Sequence, residues 1–109
     1  MKYIKVAQTT ELPEGSKKKV TMNGQDILLT NVKGVYSAIS NTCTHMGGSL
    51  VEGDLQGNEI VCPRHGSIFN VQTGQVVQRG KLLMIKVKVT DLKVYPVKIE
   101  GTDLLIGIE

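Results

Sequence analysis

Turn signals recur along the chain every eight to twelve residues, and nothing else in the sequence restricts its fold as much. Val20 and Met22 alternate with Lys19 and Thr21, then Asn23-Gly24 turns into Asp26-Ile27-Leu28-Leu29. An Asn-Gly pair between two such segments is a type I′ hairpin signal, because both residues tolerate positive φ. Val32-Lys33-Gly34 turns again into Val35-Tyr36-Ser37-Ala38-Ile39. Further on, Ile85, Val87 and Val89 alternate with Lys86, Lys88 and Thr90. Lys93 to Ile99 reads as one more strand, with Pro96 marking an edge or a bulge, and Leu104, Ile106 and Ile108 close the chain. Between such turns a helix of ordinary length has no room, and Thr9 to Pro13 offers a single turn at most. The expectation is an all-β protein, a small antiparallel barrel or sandwich.

A chain of 109 residues, 40% hydrophobic and 21% charged, suits one domain over 1–109. It is too apolar for disorder, and a core this thin benefits from a metal or disulfide staple. No apolar run is long enough to cross a bilayer, and no apolar segment follows Met1-Lys2-Tyr3-Ile4-Lys5 as a secretory signal requires. A cytoplasmic protein with no membrane partner is expected. The formal charge is only +3 and aromatics are 4%, which gives little with which to hold or stack nucleic acid.

The two cysteines and two histidines of the chain all fall between positions 43 and 65. The pattern is Cys43-x-His45, sixteen residues, then Cys62-x-x-His65. Glycine pairs and Pro63 mark both segments as loops, so each loop offers one thiolate and one imidazole. A disulfide between the cysteines is disfavoured in a reducing compartment. Two metal readings stay open on the residues alone: a structural zinc site with two Cys and two His, and a [2Fe–2S] centre with two Cys on one iron and two His on the other. Zinc knuckles usually pair like with like. Here each loop mixes the two ligand types, which suits a binuclear centre that gathers like ligands from two loops.

Cys43-Thr44-His45-Met46-Gly47-Gly48 followed by Cys62-Pro63-Arg64-His65-Gly66-Ser67-Ile68-Phe69 resembles the Rieske iron–sulfur domain, and in particular the small soluble Rieske-type ferredoxins. Leu12 to Gly15, Leu50 to Gly53, Phe69 to Gly74 and Leu92 to Ile108 extend the resemblance over nearly the whole chain. It implies a β base carrying a two-loop, rubredoxin-like cluster-binding subdomain at about 41–70. It also implies that Cys43 and Cys62 bind the buried iron while His45 and His65 bind the outer iron through Nδ1. With neutral histidines, two ferric ions, two sulfides and two thiolates cancel. An electron therefore enters more easily than in an all-cysteine cluster, and the potential is higher. The implied role is one-electron transfer, not catalysis, from a reductase to a terminal oxidoreductase such as an aromatic-ring dioxygenase. Two alternatives are an accessory Rieske-like subunit of a nitrite reductase-type enzyme and a zinc-stapled structural module.

The chain departs from the Rieske proteins of quinol-oxidising complexes. Gly48 and Arg64 stand where those carry a disulfide, and Phe69 stands where they carry a Tyr hydroxyl; Ser67 keeps their Ser place. Segment 75–94 is longer than in the soluble ferredoxins and has no proline. It reads either as an apolar cover flanked by cations or as a longer hairpin with lysines on its solvated side. Arg64, Arg79 and Lys81 suit partners with acidic docking faces, Lys17-Lys18-Lys19 reads as a solvated turn, and a monomer is expected.

Overall fold

The computed structural model describes residues 1–108 apart from 44–47, 65, 79–80, 83–84 and 87–89; at 81, 82, 85 and 86 it describes the backbone alone. His45, His65 and Arg79 therefore lie outside the described residues, as does the side chain of Lys81.

The chain is all-β, as the turn spacing requires. β1 (Lys2–Gln8) leads through a 3₁₀ turn at Thr9–Glu11 to two successive hairpins, β2 (Lys17–Met22), β3 (Gln25–Val32) and β4 (Val35–Ser40). Both hairpin turns have two residues with positive φ: 52° and 74° at Asn23-Gly24, 53° and 86° at Lys33-Gly34. That is the type I′ geometry, and the registers Met22↔Gln25 and Val32↔Val35 follow from it. A second, smaller meander follows: β5 (Asp54–Gln56), β6 (Glu59–Val61), β7 (Ile68–Asn70) and β8 (Val76–Gln78), hydrogen-bonded in that order. β9 (Lys81–Leu82) and β10 (Ile85–Lys86) make a two-stranded ribbon. The described ends of segment 75–94 lie side by side. Leu92 N–H donates to the Gly74 carbonyl at 2.8 Å, and Val76 N–H to Asp91 Oδ1 at 2.9 Å.

β11 (Val94–Tyr95) pairs with β4, whereas β12 (Val97–Glu100) pairs with β13 (Asp103–Ile108). The single strand expected over 93–99 is therefore split at Pro96, where the chain passes from one sheet to another. Proline has no N–H for a ladder, so the handover falls there. Lys17-Lys18-Lys19 also differs from expectation. These residues open the edge strand β2, where lysines deter pairing with other chains; Lys18 sits 3.4 Å from Glu11.

β3, inside the sheet β11-β4-β3-β2, is buried on both faces, which explains the unbroken apolar run Ile27-Leu28-Leu29. Ile27, Leu29, Ala38 and Tyr95 pack with Ala7, Leu12, Leu104 and Ile106 of the region around sheet β1-β13-β12. Leu28 and Ile39, on the opposite face, pack with Leu50, Ile60, Phe69, Val71, Leu92 and both cysteines. Thr30 is fully buried in β3, two residues from Leu28 on that second face, and its hydroxyl has no hydrogen-bond partner among the described residues. A buried orphan hydroxyl costs about 1 kcal/mol or more. Thr30→Val should therefore raise Tm by roughly 4 °C in thermal melts. A lowered Tm would show that the hydroxyl is satisfied.

Candidate metal centre

Each ligand loop grows from the end of a strand, and backbone hydrogen bonds bring the two cysteines into one core. Past β4, Asn41 carbonyl accepts Leu50 N–H at 2.8 Å, Thr42 bridges Ser49, and Cys43 N–H donates to the Gly48 carbonyl at 2.8 Å. The second loop joins β6 to β7. Cys62 N–H donates to the Ser67 carbonyl at 2.7 Å, and Gly66 N–H returns to the Cys62 carbonyl at 3.2 Å. Gly66 takes φ 77°, which closes this knuckle at a conformation most side chains resist.

Cys43 is 3% exposed and Cys62 2%, in the same apolar group as Phe69, Leu50 and Ile60. No disulfide joins them. The two loops meet at Gly48. A Cβ placed there would lie 2.9 Å from Cys62 Sγ and 2.8 Å from Arg64 Cγ, so the backbone of one loop is laid directly against the sulfur of the other. Beside this contact a solvent-open depression of about 630 Å³ is lined by Gly48, Ser49, Glu52, Pro63 and Arg64.

A cluster held by thiolates needs what is present here: soft donors kept from solvent in a low-dielectric pocket, with backbone able to approach the sulfur. The same Cβ at position 48 would stand 3.4 Å from Arg64 Cβ, so positions 48 and 64 do face each other. In this chain that pair is a glycine and an exposed arginine. The glycine marks a loop in the sequence, but its contact with Cys62 joins two segments and has no local signal. Gly48→Ala should therefore lower the iron content of purified protein to less than about half, because the added methyl must displace the buried Cys62 sulfur in a close-packed core. Full iron loading of that variant would show the sulfur free to yield.

Comparison with known proteins gives the family. The Rieske [2Fe-2S] domain family matches residues 2–96. The ferredoxin component of a naphthalene 1,2-dioxygenase system from Pseudomonas aeruginosa is 36% identical over 107 residues, covering 98% of this chain and 96% of that one. The ferredoxin of carbazole 1,9a-dioxygenase from Nocardioides aromaticivorans IC177 superposes with a TM-score of 0.85 at 25% identity, over 100% of both chains. A chain in the complex of reduced oxygenase and oxidised ferredoxin in carbazole 1,9a-dioxygenase is 30% identical, with a TM-score of 0.79 and coverage of 95% and 91%. This chain belongs to the Rieske [2Fe–2S] family. Within it the chain is a ferredoxin: it carries one Rieske-type cluster and moves electrons between redox proteins, without catalysing a reaction itself. That places it apart from the zinc-module and accessory-subunit alternatives.

Proposed function

We propose that Cys43 and Cys62 hold one iron of the cluster and His45 and His65 the other, and that the electron goes from a reductase to the terminal oxygenase of a ring-hydroxylating system. The observation that carries the assignment is the meeting of the two loops at Gly48, where Cys62 Sγ is enclosed and Cys43 is buried in the same group. Bound in this way, the cluster supplies a single reversible electron at a site the chain keeps dry on one side. The oxygenase as acceptor follows from the relatives of matching length, which are ferredoxin components of dioxygenase systems. One domain over 1–109, a monomer and a cytoplasmic location complete the proposal; among the described residues no helix is long and apolar enough to cross a membrane.

Arg64 is exposed at the mouth of the depression beside Cys62, and it would steer an acidic partner face toward the cluster. Purified protein should be red-brown, carry two irons per chain, and give a rhombic electron paramagnetic resonance signal when reduced. Colourless protein containing one zinc would end this reading. In stopped-flow reduction of an oxygenase, the second-order rate should fall as salt rises, and Arg64→Glu should slow it several-fold at low salt only. A rate indifferent to both would leave the basic residues without a docking role.

A further inference from the structure

Asn41 stands one residue past β4, at the foot of the first ligand loop, and is 2% exposed. Its backbone and its side chain are both committed. The N–H donates to the Asp26 carbonyl at 2.9 Å and the carbonyl accepts Leu50 N–H at 2.8 Å. Oδ1 accepts Val51 N–H at 2.9 Å, and Nδ2 donates to Ser49 Oγ at 2.9 Å. One side chain therefore grips the returning limb of the loop at two residues.

That double grip fixes register. The rungs above it set Cys43 opposite Gly48, and Gly48 is the residue pressed against Cys62 Sγ. A slip of one residue would bring Ser49, with a Cβ, to the place where only a glycine fits. Backbone rungs alone do not forbid such a slip, because every residue offers the same N–H and carbonyl. Side-chain bonds to two particular residues do.

We infer that Asn41 is a positioning residue for the cluster, holding the first ligand loop in the one register that sets Cys43 beside Cys62; this rests on the ligand assignment proposed above. Asn31 provides a matched comparison. It is 4% exposed, its Nδ2 donates to the Leu12 carbonyl and its Oδ1 accepts Gly34 N–H, both at 2.9 Å, so it clamps a turn that carries no ligand.

The test measures iron release to a chelator and the reduced-state electron paramagnetic resonance spectrum. Asn41→Leu should release iron about tenfold faster than wild type, with shifted g-values, since each unmade buried hydrogen bond is enough for such a factor. Asn41→Asp should restore both readouts, because a carboxylate accepts Val51 N–H and the Ser49 hydroxyl can turn to donate. Asn31→Leu should lower Tm yet release iron at the wild-type rate. If Asn41→Leu fails to fold, Ser49→Ala removes one of the two side-chain bonds and should show a smaller acceleration with the same spectral shift. Wild-type release from Asn41→Leu, or equal acceleration in Asn31→Leu, overturns the positioning role. Wild-type protein without iron would overturn the ligand assignment with it, whereas iron-loaded wild type beside an unaffected Asn41→Leu overturns the positioning role alone.

Discussion

His65→Ala protein should purify without colour and melt well below the wild type, and His45→Ala should behave the same way. Each loop offers one imidazole, and no other histidine exists in the chain to replace it. A cluster with an open iron position is lost or degraded, and its binding energy leaves the fold with it. The magnitude can be bounded by treating the cluster as a cross-link. Cys43 and Cys62 are separated by eighteen residues. Closing a loop of that size in the unfolded chain is worth about 3 kcal/mol in the chain-entropy picture. For a domain of this length that amounts to a drop in Tm on the order of 10 °C. The scaffold itself should survive at low temperature. Sheet β1-β13-β12 and its core of Leu12, Leu104 and Ile106 contain no ligand, so far-ultraviolet circular dichroism should stay β-like. A His65→Ala protein with full iron content and an unchanged spectrum would remove the assignment.

The hairpins and the two loops that carry Cys43 and Cys62 were legible because their signals are local. Asn23-Gly24 and Lys33-Gly34 mark turns in sequence order, and the Cys and His residues in paired spacings mark the loops without reference to the fold. What was not legible depends on contacts between distant segments. β1 carries no clean alternation because its register shifts between Lys5 and Ala7, which turns Ala7 inward after a bulge. The short strands β5 and β6 have only three residues each, and a stretch that short shows no periodicity. Lys17 to Lys19 resembled a solvated turn because edge strands and turns carry the same charges. Asn41 and Gly48 are ordinary loop residues by composition. Their importance lies in what they touch, Val51 and Ser49 in one case and Cys62 Sγ in the other.

The reduction potential should lie in the lower half of the range for Rieske centres, which runs from about −150 to +300 mV. Donors aimed at the sulfurs favour the reduced, more negative state and raise the potential; removing them lowers it. Phe69 is fully buried beside both cysteines, between Ile60 of β6 and Val76 of β8, and offers no donor. Gly48 and Arg64 leave the depression beside Cys62 open to water, which screens the arginine's charge. Ser67 is buried at 1% exposure, and its carbonyl already holds Cys62 N–H, so its hydroxyl lies in the right loop to contribute. Ser67→Ala should then lower the potential. Phe69→Tyr places a hydroxyl in the apolar group around the cysteines, where two outcomes separate cleanly. If it reaches a sulfur, a charge-assisted hydrogen bond worth about 1 kcal/mol more to the reduced state raises the potential by roughly 40 mV. If it reaches none, the orphan hydroxyl costs about 1–3 kcal/mol and Tm falls with no change in potential. The burial of Phe69 with both cysteines favours the first outcome. Protein-film voltammetry on the two variants decides it, and a wild-type potential near the top of the range would show that donors other than Ser67 surround the sulfurs.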